Sequence, residues 1–177
     1  TQGRYVVEAM NLAGYGIAVP GVHEFDYGVS GLVGTLSKEA KHQYISCNFT
    51  MTANGQTVFK PYVIKTYGSA KVAYIGISDP QTISKSGASF KNSDGSAAYS
   101  FADGSGGKKL YEAVQNVIDE AKAAGADYIV AIGHLSTTGD AAYTPKRVIE
   151  NTTGIQAFID GNTHTAIVGE KVKGAAH

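Results

Sequence analysis

Apolar positions along this chain alternate between two periods. Tyr5, Val6, Ala9, Met10 and Ala13 recur at helical spacing, and Gly14 stands where a helix end calls for a left-handed residue. Ile17 to Val19 then form an apolar run, which predicts a buried strand over 17–22 that breaks at Pro20-Gly21. Val29, Leu32, Val33, Leu36 and Ala40 return to the helical period, with Gly28 or Ser30 near its start, and 44–49 reads as a second buried strand. Residues 58–67 and 71–77 are rich in β-branched and aromatic side chains on either side of Gly68-Ser69, the pattern of a hairpin-like pair. Residues 79–107 are polar and rich in Gly and Ser. They predict a long surface excursion, in which Phe90, Tyr99 and Phe101 argue for at least one packed segment. The alternation then resumes with a strong helix from Leu110 through Ala121 that ends at Gly125. A strand over 128–132, a helix opened by Thr144-Pro145, a strand over 155–159 and an edge strand ending at Val172 complete the pattern.

Strands alternating with helices predict a layered α/β fold with helices on the outside, and one domain is expected over 1–177. The pattern opens on a helix, so the sheet's first strand is expected to be missing from residues 1–177. Charge narrows the partners: 15 basic residues balance 15 acidic ones. No basic stripe marks a nucleic-acid binder, and no basic amphipathic helix marks a membrane surface. No apolar run approaches the ~20 residues of a membrane span, and no secretory signal peptide opens the chain, which leaves the compartment undecided. Cys47 is the single cysteine, so no intrachain disulfide holds the fold. The 11 tyrosines suit base stacking, but strands and interfaces use tyrosine at least as readily.

Candidate chemistry gathers at strand ends. The 17–22 run leads to His23, the 128–132 run to His134 and the 155–159 run to His164. In a mostly parallel sheet the carboxyl ends share one rim, so the three imidazoles are expected to converge there. Convergent histidines with carboxylates and amides are a donor set that borderline divalent metals prefer. His23 is followed three residues later by Asp26, a spacing that lets a carboxylate fix an imidazole tautomer. His42 and His177 are expected in solvent.

The blocks around these residues resemble the 5'-nucleotidase branch of the calcineurin-like metallophosphoesterases. Gly21-Val22-His23-Glu24-Phe25-Asp26, preceded by Val7-Glu8-Ala9-Met10-Asn11, is similar to that family's Gly-Asn-His-Glu-Phe-Asp block. Gly133-His134-Leu135 resembles its histidine block after a central strand, and Asp160-Gly161-Asn162-Thr163-His164-Thr165 its Gly-His-x-His block. The likeness runs over about residues 1–172 and implies a four-layer α/β/β/α sandwich without its first strand. It also implies a phosphomonoester hydrolase acting on a nucleotide or small phosphate ester, with two divalent ions, zinc or manganese, about 3.5–4 Å apart. Carried over, His23 is the histidine that stabilises the transition state or protonates the leaving alkoxide, and Asp26 orients it. His134 and His164 become ligands of one metal each, with Asn162 a weaker donor.

Two departures change what the resemblance implies. Val22 stands where the family has a metal-binding Asn, and Asn162 where it has the first His of the pair. The family's Asp-x-His and Gly-Asp blocks, the latter with the bridging carboxylate, have no counterpart, and neither does a carboxyl-terminal nucleotide-binding domain. Tight sites use three or four protein ligands, so partial metal occupancy at most and impaired hydrolysis are expected. The alternative reading is a catalytically inactive pseudoenzyme that acts as a binding or scaffold domain. Family members are commonly secreted, periplasmic or at the cell surface. An uncovered sheet edge would favour self-association.

Overall fold

A computed structural model of the chain describes residues 2–86, 90–136, 141–164, 171–172 and 175–176. Helix α1 (Arg4–Ala13) lies where its apolar spacing places it. Gly14 closes it at φ 78, with its N–H on the carbonyl of Asn11. Strand β1 (Ile17–Ala18) is shorter than the expected 17–22, because the chain turns through Pro20-Gly21 into a 3-10 turn, His23–Phe25. The next helical run is composite: α2 (Val29–Gly31), a π-helical stretch at Leu32–Leu36, and α3 (Ser37–Glu39). Strand β2 (Gln43–Tyr44) pairs in parallel with β1 and is likewise shorter than its apolar run. Beyond it Ser46 donates its N–H to Lys60 at 3.0 Å and Cys47 to Gly76 at 2.8 Å, so the backbone leaves the small sheet for the larger one.

The chain continues through β3 (Phe49–Met51), β4 (Tyr62–Tyr67), β5 (Ala70–Ser78), α4 (Thr82–Lys85) and β6 (Tyr99–Phe101). Then come α5 (Lys108–Ala123), β7 (Tyr128–His134), α6 (Pro145–Asn151), β8 (Ala157–Asp160), β9 (Lys171–Val172) and β10 (Ala175–Ala176). Helix α6 starts as expected: Pro145 holds the first helical position and Thr144 Oγ1 accepts from Arg147 N–H at 3.2 Å. Most of the expected edge strand ending at Val172 lies outside the described residues; Lys171–Val172 are the described part of it.

The large sheet has the order β4-β5-β7-β8-β10-β9. β5, β7, β8 and β10 run parallel, and β4 and β9 close the two edges antiparallel. One of its faces is buried. Ala73, Ile75 and Ile77 of β5, Ile129 and Ala131 of β7, and Phe158 of β8 pack on Leu110, Val114 and Ile118 of α5 and on Val148 of α6. On the opposite face Ile159 is 60% exposed. Among the described residues two further sheets of two strands each, β1–β2 and β3–β6, accompany the large sheet.

A separate aromatic core joins the first fifty residues to the 79–107 excursion. Phe49 stacks on Phe101 at 4.7 Å between ring centres and meets Phe25 edge-on at 5.3 Å, while Phe90 also packs on Phe25. Because β6 pairs antiparallel with β3, the excursion is anchored at Phe90 and at 99–101.

Gly76 marks the tightest approach between the two halves. A Cβ there would lie 2.3 Å from the backbone oxygen of Ile45, a contact the segment cannot relieve by turning a side chain. Gly76→Ala is therefore expected to destabilise the fold by about 2–3 kcal/mol in urea melts, while Gly55→Ala, whose Cβ meets nothing within 4 Å but whose φ is 70, costs about half that.

Candidate functional site

His134 is the last residue of β7, and its register partner in β5 is Ser78. In the next pair Gly133 lies opposite Asp160, the last residue of β8. Three parallel strands thus end together, and their loops form one rim. The His134 ring sits between two glycines. A Cβ on Gly21 would lie 2.6 Å from its Cε1, and one on Gly161 would lie 3.4 Å from its Nδ1. The loops after β1 and after β8 therefore both reach the same imidazole. Burial pulls the His134 pKa below the ordinary histidine value; Glu24 and Asp79 oppose that shift, while the charges of His23 and His164 add to it. Each of the other two rim histidines is thus close enough for its charge to act at His134.

His23 stands on the 3-10 turn with its side chain 87% exposed, and its Nδ1 lies 2.9 Å from Asp26 Oδ2. That hydrogen bond, followed by the charge of Asp26, raises the His23 pKa. With Nδ1 so engaged, Nε2 is left to the solvent side. The turn is braced by Glu24, whose Oε2 accepts the Gly21 N–H at 2.7 Å. Val22 is partly buried on the same turn and brings no donor atom to the rim. After β8, Asn162 and His164 take left-handed backbone angles, φ 73 and φ 53, and His164 is exposed. Asn and His are among the side chains that tolerate this conformation best.

Three carboxylates and amides shape the rim without having been assigned from the sequence. Asp160 Oδ1 accepts the Leu135 N–H at 2.8 Å, which ties the end of β8 to the end of β7. Its Oδ2 is buried and has no hydrogen-bond partner among the described residues. Burial pushes its pKa up to about 7, against the pull of the Leu135 and Gly161 N–H groups. Asp79, also buried, accepts from Lys85 Nζ at 2.6 Å and from the Gln81 N–H at 2.9 Å. Asn48 bonds both sides of Ser78: its amide donates to the Ser78 carbonyl at 2.8 Å and its Oδ1 accepts the Ser78 N–H at 2.9 Å. Asp79 and Asp160 follow or end apolar strands just as the histidines do, so strand-end position is the signal by which the sequence offers them.

His42 corrects the sequence reading. It was expected in solvent, yet it is 3% exposed, because the turn into β2 places its ring edge-on to Tyr44 at 4.8 Å. Burial lowers its pKa. His177 lies outside the described residues.

A two-metal centre needs more donors than the described rim supplies. His134 and His164 offer one imidazole nitrogen each and Asn162 a neutral amide oxygen, while Val22 offers nothing. Among the described residues no group of three or more His, Cys, Asp or Glu side chains could hold a metal ion. The donor set among the described residues does not by itself fit such a centre.

No family model matches the chain. It is 30% identical over 193 residues to the trifunctional nucleotide phosphoesterase YfkN of Bacillus subtilis, covering 99% of this chain and 12% of that protein. It is 28% identical over 170 residues to the snake venom 5'-nucleotidase of Crotalus adamanteus, covering 93% of this chain and 26% of that one. Among solved structures, the calcineurin-like phosphoesterase YfkN superposes with a TM-score of 0.74 at 29% identity, over 97% of this chain and 52% of that chain. The chain is a relative of the 5'-nucleotidases and carries part of the calcineurin-like phosphoesterase fold. It spans about a quarter or less of the length of these curated relatives. A sulfate thiohydrolase from Thermus thermophilus has the same fold, with a TM-score of 0.80 at 24% identity over 99% of this chain and 30% of that one. The α/β architecture expected from the sequence is thus that of the phosphoesterases.

Asp26→Asn is expected to bring the His23 titration down toward the ordinary histidine value, followed by the imidazole proton shifts in NMR, because the hydrogen bond and charge that raise it are both weakened. Asp160 gives a stability signature of the opposite kind from a salt-bridged acid. Its pKa is higher folded than unfolded, so its contribution is present at low pH and is lost as pH rises from about 4 through about 7. Asp160→Asn keeps an acceptor for Leu135 and removes the charge. It is expected to abolish that slope and to stabilise the chain by about 1–3 kcal/mol at pH 8, read from urea melts across the range.

Proposed function

We propose that this chain is the histidine rim of a phosphomonoester hydrolase of the 5'-nucleotidase type, taking a nucleotide or small phosphate ester, and that as it stands it hydrolyses poorly. The observation that carries the reading is the His23–Asp26 pair, 2.9 Å apart, on the turn beside His134. Asp26 holds Nδ1, so a protonated His23 presents Nε2–H outward. A phosphate ester seated at the rim would receive that proton on its leaving oxygen as the P–O bond breaks, which avoids expulsion of a bare alkoxide. The raised pKa of His23 keeps more of the acid form near neutrality. His134, half-buried and biased toward neutrality, and the exposed His164 line the same approach. Their nitrogens and the Asn162 amide are the places where a single weakly held cation would sit.

Proton donation is half of the reaction; the attacking water also needs activation, and no described residue is placed to supply it. Val22 and the short donor set support the second reading, a binding or scaffold domain that retains the rim without turnover. The names of the relatives support a nucleotide as the ligand class for either reading. The sheet face on which Ile159 is exposed is the surface through which self-association would run. No helix among the described residues is long and apolar enough to cross a membrane.

One pair of measurements separates the readings. The chain is titrated with zinc and manganese and assayed on p-nitrophenyl phosphate and a nucleoside monophosphate, alongside Val22→Asn/Asn162→His. The double variant is expected to bind metal at least about tenfold more tightly, because it restores one amide and one imidazole donor. Turnover by the parent chain at a rate that His23→Ala leaves unchanged would remove the acid role given to His23. Equal metal affinity in parent and double variant would remove the rim as the metal locus.

A further inference from the structure

The rim does not use the cavity of about 630 Å³ at the opposite ends of β1 and β2. Gly16, just before β1, and Gln43 of β2 line it, whereas the rim forms where β1 leads on toward Gly21. Lys41, Lys60 and Lys65 line the same cavity, and no carboxylate does. Among the described residues none of these three lysines makes an ion pair. Three ammonium groups around one hollow repel each other, and a multivalent anion between them would turn that repulsion into attraction.

A second feature points the same way. His42 lines this cavity, is 3% exposed, and has no hydrogen-bond partner on either ring nitrogen. Buried polar atoms are nearly always paired, and an imidazole with both nitrogens idle loses about 1–3 kcal/mol for each. The carboxylate felt at His42 is that of Glu24, which is bonded to the Gly21 N–H and does not line the cavity. A neighbouring hollow of about 540 Å³ shares Gln43, Lys60 and Lys65 and continues along the outer edge of β4. The lysine pair therefore faces two adjoining spaces, room for more than one phosphate group.

We infer that this cavity binds a small multivalent oxyanion of the phosphate or pyrophosphate class, held by Lys41, Lys60 and Lys65 and reached by a ring N–H of His42, at a site separate from the His134 rim. The inference does not depend on hydrolysis. Inorganic pyrophosphate and inorganic phosphate are titrated into the chain by calorimetry at low salt, with sodium chloride of matched ionic strength as control, while His42 ring signals are followed by NMR. Binding with a shift of the His42 signals is expected, weakened about fivefold by Lys60→Gln or by Lys65→Gln and undetectable in the double variant. These exposed substitutions should leave the melting temperature unchanged, so loss of binding would not reflect unfolding. His134→Ala should leave binding intact. Binding that survives the double lysine variant, disappears in His134→Ala or is matched by chloride would overturn the site, as would no binding at millimolar pyrophosphate. Failure of the hydrolase reading would leave these outcomes unchanged, because none of them reads turnover.

Discussion

The pairing register of β5, β7 and β8 is the constraint on which the site depends. Ser78 lies opposite His134, and Gly133 opposite Asp160, so all three strands deliver their polar ends at one level. Side chains alternate faces with a period of two. A one-residue slip of β7 would turn His134 toward α5 and expose Leu135, now fully buried. The register is held from both directions. The buried face of Ala73, Ile75, Ile77, Ile129 and Ala131 penalises any slip by exposing apolar area to water. At the rim the Leu135 N–H on Asp160 and the Asn48 amide on Ser78 pin the strand ends with hydrogen bonds shielded from solvent.

Given that register, loop chemistry decides what the rim can do. Gly21 and Gly161 let two backbones approach the His134 ring from separate strands, which no residue with a Cβ would permit at Gly21 without displacing the imidazole. Glu24 spends a carboxylate oxygen on the Gly21 N–H and so fixes the turn that presents His23 and Asp26. Carboxylate, imidazole and glycine thus have distinct tasks. One braces, one is presented at the rim, and one provides clearance.

Periodicity made most of this legible. The α1 and α5 helices, the Thr144-Pro145 helix start and the β4–β5 hairpin follow from spacing and caps that act within a few residues. The strand-end histidines could be picked out because chain direction in a parallel sheet fixes where strand ends go. What local patterns could not reveal was competition between distant partners. The 17–22 and 44–49 runs each read as one strand, yet each meets only a two-residue strand: the first turns away through Pro20-Gly21, and in the second Lys60 and Gly76 take the N–H groups of Ser46 and Cys47. His42 escaped for a related reason: its neighbours in sequence are polar, and its burial comes from Tyr44 and the turn into β2. Asp160 was visible as a letter in a block, but its raised pKa arises from burial that only packing creates.

Frame and donors are separable in this fold. Register, glycine clearance and the aromatic core do not involve Val22 or the Asn162 amide, so replacement of a donor at either place leaves the strands and loops where they are. Asn162 even suits its left-handed backbone at φ 73. A metal centre has no such tolerance, since each lost ligand removes a bond that water replaces at much lower affinity. Fold similarity therefore reports on the frame. The chemistry must be read from the atoms the frame presents: here a hydrogen-bonded imidazole and carboxylate at His23 and Asp26, two further imidazoles, and a buried carboxylate oxygen with no described partner.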